Sequence, residues 1–230
     1  MAAVNASTRP PQARFLDVLS HVSQIVSSGR SLDTILFATV SLIKTMLDVE
    51  RCSIMLLDPD ERVLRLKAAS SIDPAEWEKI RVPLGEGIAG KVAAEGKPLL
   101  VENVDTSPYA GLSPRGRYST SSFICVPLLV KARVIGVINV NNATDSIRFT
   151  RDDLDLITGL AGLIALTIDN VRLQTARETM RAHLEKIVES LPVGILTVDL
   201  NGRVTLSNQR MLQILGLGYA TAVDGRNIEE

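Results

Sequence analysis

Two periods of apolar and polar residues run along the chain, and they locate its elements. Phe15, Leu19, Val22 and Val26 stand at i, i+4, i+7 and i+11, one face of an amphipathic helix that ends at Ser27-Ser28-Gly29-Arg30. Ser31 is a good N-cap for a second helix over 32–48, which turns Leu32, Ile35, Leu36, Thr39, Leu42, Ile43 and Met46 inward. From Cys52 to Leu57 the run is almost continuously apolar, as expected of a strand covered on both faces. Asp58-Pro59-Asp60-Glu61 is a turn, and Val63, Leu64, Leu66 and Ala68 mark the returning strand of a hairpin. Trp77 lies on a polar connector before a strand from Ile80 to Leu84. A short helix from Ile88 to Glu95, closed by Gly96, leads to a strand from Leu99 to Glu102. Asn103 to Ser121 is a long polar loop, and long loops in compact domains are commonly functional. Phe123–Val130 and Val134–Val140 are apolar strands joined tightly through Lys131-Ala132-Arg133.

The period then becomes helical for about 40 residues, from Phe149 to Leu191. Thr150 is the expected N-cap, with Asp152 and Asp153 at the positive end of the helix dipole. Leu154, Ile157, Ala161, Ile164 and Ile168 form a stripe suited to packing on a sheet. Beyond it, Leu166, Leu173, Met180 and Ile187 repeat every seven residues, and Asn170, Arg177, Leu184 and Leu191 fill the complementary positions of a heptad seam. A helix of that length spans roughly 60 Å, more than one small domain covers. The excess calls for a partner, most simply the same helix of a second subunit. After Pro192, a strand from Gly194 to Asp199 and another from Val204 to Ser207 flank an Asn201-Gly202 turn, and a helix begins at Asn208.

The order of these motifs resembles the GAF domain, a small-molecule-sensing module of signalling proteins. The resemblance rests on Pro83-Leu84-Gly85-Glu86-Gly87-Ile88-Ala89-Gly90-Lys91-Val92 read together with the hairpin 123–140, and covers about residues 14–170. A second run, Glu189-Ser190-Leu191-Pro192-Val193-Gly194-Ile195 through Asn208-Gln209, resembles the start of a PAS domain. The expected organisation is a disordered leader at 1–13, a GAF domain at 14–165, a coiled-coil signalling helix at 166–190 and a truncated PAS domain at 186–230. The expected fold is α+β: a mainly antiparallel sheet of five or six strands with packed helices, then the long helix and a partial PAS-like segment. The resemblance implies an output domain missing from this sequence, most commonly a histidine kinase, with diguanylate cyclases, phosphatases and AAA+ transcription activators sharing such arrangements.

Charge adds little. With 25 Lys+Arg against 26 Asp+Glu the chain carries no basic excess, so nucleic acid is not an expected partner. No uninterrupted apolar run reaches about 18 residues and the N-terminus lacks a signal-peptide layout, so a cytoplasmic protein with no membrane segment is expected. Cys52 and Cys125 sit in apolar strand patterns and read as buried free thiols.

Several chemistries are weighed and set low. Gly85, Gly87 and Gly90 match a dinucleotide-binding spacing by letter but lack its strand–helix unit, so they read as a tight turn beside a pocket. The cyclic-nucleotide pattern of the family is met by Asn141, Phe149 and Asp153 but broken at Asn142 and Leu154. The only histidines, His21 and His183, lie on flanking helices, which argues against haem, and no Cys/His cluster suggests zinc. A thiol-dependent reductase of GAF fold would need Cys52 and Cys125 to meet across the sheet. The candidate pocket has a wall of Ser53, Met55, Cys125 and Asn139 and a lid of Ile88, Val104, Tyr109, Tyr118, Ser121 and Phe123. No catalytic residue, metal or cofactor is assigned. The expected function is small-molecule sensing and homodimerisation relayed through the long helix. The alternatives are the reductase and a dimerisation scaffold that binds no ligand.

Overall fold

A computed structural model describes residues 20, 31–58, 60–103, 107–109, 122–141, 148–217, 225 and 227. The leader at 1–13, the helix over 14–28 apart from Ser20, and most of the loop at 103–121 lie outside the described residues, as does the side chain of Met46. The chain divides into two compact units, 1–171 and 172–230.

In the first unit, helix α1 (Leu32–Leu47) begins where Ser31 Oγ accepts from Thr34 N at 3.4 Å. Strands β1 (Arg51–Asp58) and β2 (Val63–Ala69) form the hairpin. A short 3-10 helix, Pro74–Lys79, occupies the stretch expected to be a plain connector, because Asp73 caps it and Pro74 pre-sets its first turn. Strand β3 (Arg81–Pro83), helix α2 (Gly87–Glu95), strand β4 (Leu99–Val101) and the hairpin β5 (Phe123–Val130) and β6 (Arg133–Asn141) follow. The sheet has six strands in the order β3-β2-β1-β6-β5-β4, and every neighbouring pair is antiparallel.

Helix α3 (Arg151–Ser190) starts with a reciprocal cap: Asp153 Oδ2 accepts from Thr150 N at 2.8 Å, and Thr150 Oγ1 accepts from Asp153 N at 3.3 Å. Its residues Leu154, Ile157, Leu160, Ala161, Ile164, Ala165, Thr167 and Ile168 are buried. One window of α3 is apolar enough in length and composition to cross a membrane, which the run-by-run sequence reading did not register. Fully 44% of that window is buried within the structure. Packing on the sheet thus accounts for much of its apolar character.

Strand alternation splits the sheet into two differently filled faces. Cys52, Ile54, Leu56, Ile124, Val126, Leu128, Ile138 and Val140 join Leu36, Val40 and Ile43 of α1 and the buried stripe of α3 in one core. Met55, Leu64, Leu66, Phe123, Cys125 and Val137 face the other way and pack with Ile88, Val92 and Ala93 of α2.

In the second unit, β7 (Leu196–Val198) and β8 (Val204–Ser207) form an antiparallel pair, followed by α4 (Gln209–Ile214). The connection is longer than a two-residue Asn-Gly turn. Asp199 Oδ1 accepts from Asn201 N at 2.8 Å and Arg203 N at 2.9 Å, and this carboxylate organises the loop. The same bonds, led by that from Arg203, hold the Asp199 carboxyl below its ordinary range.

Candidate functional site

The glycine turn after β3 brings α2 against the second sheet face. Gly85 and Gly87 have φ of +89° and +58°, which side chains rarely adopt. Gly90 has a different reason: a Cβ there would lie 2.3 Å from the Pro83 carbonyl oxygen. Gly85 N donates to Gly90 O at 2.8 Å, so turn and helix lock together. This is backbone turning rather than a phosphate cradle.

Between that face and the 72–82 segment lies a cavity of about 390 Å³. Its floor is built by strand register. Arg51 pairs with Asn141 and Ser53 with Asn139 across β1 and β6, so four polar side chains occupy alternate rungs, with Cys52–Val140 between them. Met55 and Leu66 continue the floor as apolar surface, and Ile72, Ile80, Val82 and Ala89 close the far side. Glu76 and Lys79 stand at the rim, paired to each other at 2.8 Å. Trp77 Nε1 donates to Ile72 O at 3.0 Å, which steadies the roof, and the Trp77 ring lies 6.4 Å from that of Phe37 on α1. Below the cavity, Cys52 N donates to Ser70 Oγ at 3.0 Å and Ser71 Oγ to Glu50 O at 2.9 Å, tying the exit of β2 to the start of β1.

Of the residues singled out in the sequence, Ser53, Met55 and Asn139 line this cavity. Ile88, Phe123 and Cys125 share the face but are absorbed in its apolar core. Tyr109 borders a separate, shallower depression of about 450 Å³ with Asn103 and Arg148. Val104, Tyr118 and Ser121 lie outside the described residues. Arg51, Asn141 and Leu66 are additional lining residues. The period-two rule places Arg51 and Asn141 beside Ser53 and Asn139, but only register sets them on one wall.

The two thiols face opposite ways. Cys52 pairs with Val140, which pairs with Ile124, whereas Cys125 pairs with Asn139. Cys52 therefore belongs to the helix-side core and Cys125 to the other, with β6 between their strands. Burial pushes the Cys52 thiol from 9.0 up to about 12 and raises that of Cys125 as well. A reductase needs a thiolate and a resolving thiol within reach, and this placement supplies neither. Asp153, which matches the cyclic-nucleotide pattern, is engaged in capping α3. Among the described residues no His, Cys, Asp or Glu group is arranged to hold a metal.

The family comparisons agree with this architecture. Residues 31–168 match the GAF domain family and residues 182–230 the PAS fold. A probable 3′,5′-cyclic phosphodiesterase pde-5 from Caenorhabditis elegans is 27% identical over 211 residues, covering 75% of this chain and 28% of that protein. The nitrogen fixation protein VnfA of Azotobacter vinelandii is 28% identical over 183 residues, covering 74% of this chain and 35% of that one. The chain therefore spans about a third or less of these relatives. Among solved structures, the GAF domain of an Acinetobacter phosphoenolpyruvate-protein phosphotransferase superposes with a TM-score of 0.60 at 25% identity, covering 70% of this chain and 97% of that one. A free methionine-R-sulfoxide reductase from Neisseria meningitidis superposes at 0.61 with 21% identity, covering 76% and 96%, a likeness of fold alone. With more than half its length matched and the six-stranded antiparallel sheet in place, the chain belongs to the GAF domain family and carries a PAS-fold segment behind that domain, the make-up of a regulatory module.

Proposed function

We propose that this chain is the sensory part of a cytoplasmic signalling protein. A small molecule taken up by the GAF cavity, or a dimer contact, biases helix α3, and α3 relays the change to the PAS segment and an output domain. The cavity carries the sensing half of this reading: polar groups on alternate rungs of the sheet stand with apolar lining residues, the usual make-up of a small-molecule site. Helix α3 supports the relay half. It is buried on the sheet as far as Ile168, while Leu166, Leu173, Met180, Leu184, Ile187 and Leu191 are 37–62% exposed at heptad positions. Such a stripe fits the seam of a homodimeric coiled coil.

For the output, a relative such as the Nif-specific regulatory protein of Rhizobium etli favours a regulator of that kind over the histidine kinase expected from domain arrangement alone. Sedimentation of the chain tests the dimer. Leu173→Glu with Leu184→Glu places charge in the seam and is expected to turn a dimer into a monomer. A wild-type chain already monomeric at micromolar concentration would refute the relay. A thermal-shift screen of metabolites tests the sensing half separately.

A further inference from the structure

We propose that the GAF cavity takes an uncharged ligand with an amide or lactam group on an apolar body, an assignment that rests on the sensing role proposed above. Two polar side chains set the head group. Ser53 and Asn139 pair across β1 and β6, both half-buried and both lining the cavity. The Asn139 carboxamide presents a C=O acceptor beside an N–H donor, and the Ser53 hydroxyl serves as either. A ligand amide meets both halves of Asn139 at once, through two antiparallel bonds. A carboxylate can only accept and an amidinium can only donate. Each leaves one half of the Asn139 amide without a partner, which costs free energy where water is excluded.

Charge points the same way. Arg51, Glu76 and Lys79 are the charged lining residues, and each has its counter-charge within the protein. Glu76 and Lys79 pair at 2.8 Å on the rim. Arg51 stands 3.8 Å from Glu50 and is engaged by a further partner as well. The two ion pairs cancel, so the cavity holds no net charge for a ligand to neutralise. The wall of Met55, Leu66, Ile80, Val82 and Ala89 cannot solvate a charge either. A charged ligand would shed its hydration there without compensation, whereas an apolar body gains by leaving water.

The test compares benzamide, benzoate and benzamidinium, one shape in three charge states, by calorimetry on the whole chain, with backbone amide chemical shifts reporting the location. Benzamide should bind at least about tenfold more tightly than either ion and shift Ser53, Met55 and Asn139. Asn139→Asp keeps the shape but only accepts, so it should move the preference from benzamide to benzamidinium. Glu76→Gln, on the exposed rim, leaves Lys79 without its counter-charge and should narrow the gap between benzoate and benzamide. Circular dichroism verifies that both variants fold. Either ion binding as tightly as benzamide at these residues overturns the neutral-ligand assignment and leaves the sensing cavity standing. An unchanged preference in Asn139→Asp overturns the amide head group. Shifts confined to other residues overturn the assignment and also remove the cavity from the sensing role. No binding of benzamide at millimolar concentration overturns the assignment alone.

Discussion

Replacing Asn208 by Ala should loosen the second unit without disturbing the first. The Asn208 side chain is fully buried, and its amide uses every hydrogen-bonding position it has. Oδ1 accepts from Ile195 N at 2.7 Å and Met211 N at 3.1 Å, while Nδ2 donates to Val188 O at 3.0 Å and Val193 O at 2.9 Å. One side chain thereby joins the last turns of α3, the approach to β7 and the first turn of α4. Not all four bonds carry equal weight. Met211 N also reaches Asn208 O at 3.0 Å, Val188 O also accepts from Leu191 N at 3.4 Å, and Val193 is exposed enough for water to replace its partner. What alanine forfeits is the helix cap, about 1 kcal/mol, and, among the described residues, the only partner of the half-buried Ile195 N–H, about 1–2 kcal/mol. The sum is about 2–3 kcal/mol, which raises the opening equilibrium of the unit on the order of a hundredfold. Hydrogen exchange of peptides covering 195–211 reads this directly, with β5 and β6 as the internal reference. Asn208→Ser keeps a cap for Met211 but is too short for Ile195, so it should fall between. Unchanged protection at Ile195 in Asn208→Ala, or equal loss in β5 and β6, would refute the reasoning.

Two further predictions concern the first unit. Gly90→Ala should destabilise by about 1–3 kcal/mol, because the new methyl meets a backbone oxygen at 2.3 Å, whereas Gly162→Ala in the open middle of α3 should stabilise by up to about 1 kcal/mol; opposite shifts in calorimetric Tm check the pair. The thiols of Cys52 and Cys125 should react with a disulfide reagent at pH 8 only as fast as the domain unfolds. Since burial raises Cys52 from 9.0 to about 12, its contribution to stability is intact below pH 9 and declines as pH rises towards 12. Rapid labelling of the folded chain, or stability rising above pH 9, would count against the buried placement.

Much of this fold was legible because local chemistry and tertiary packing agree. Ser31 caps α1, Thr150 and Asp153 open α3, and the apolar stripe from Leu154 to Ile168 is the buried one. The glycines of 85–90 were legible as a turn from spacing alone. The 3-10 helix at 74–79 was not, since its six residues bury nothing and leave no periodic trace. The pocket was legible only in part. Alternation tells which residues share a face but not how deeply each is packed, so Phe123 and Cys125 read as lining when they are buried in the apolar cluster with α2, beside Val101 of the neighbouring strand β4. The orientation of the thiols needed the pairing of three strands, information that neither cysteine's neighbours in sequence contain.

The two faces of the sheet differ in what they can do. The helix-covered face is filled by interlocking apolar side chains from six elements, and the buried hydroxyls of Thr39 and Thr167 on its helices donate to carbonyls of their own helices. The opposite face is closed by a nine-residue helix and a short 3-10 turn, and the space these leave over Ser53 and Asn139 is the cavity. Under the proposed sensing role, a ligand bound there would meet a rigid sheet, which transmits little lateral movement. Trp77 offers a route around it. Among the described residues it is the one side chain packed against both cores, holding the roof through Ile72 and lying beside Phe37 of α1. Under that proposal, a shift of the segment over the cavity would move a ring packed on the helix layer, which contains the buried root of α3. Trp77 thus ties Ile72, a residue that lines the cavity, to Phe37 on the helix layer.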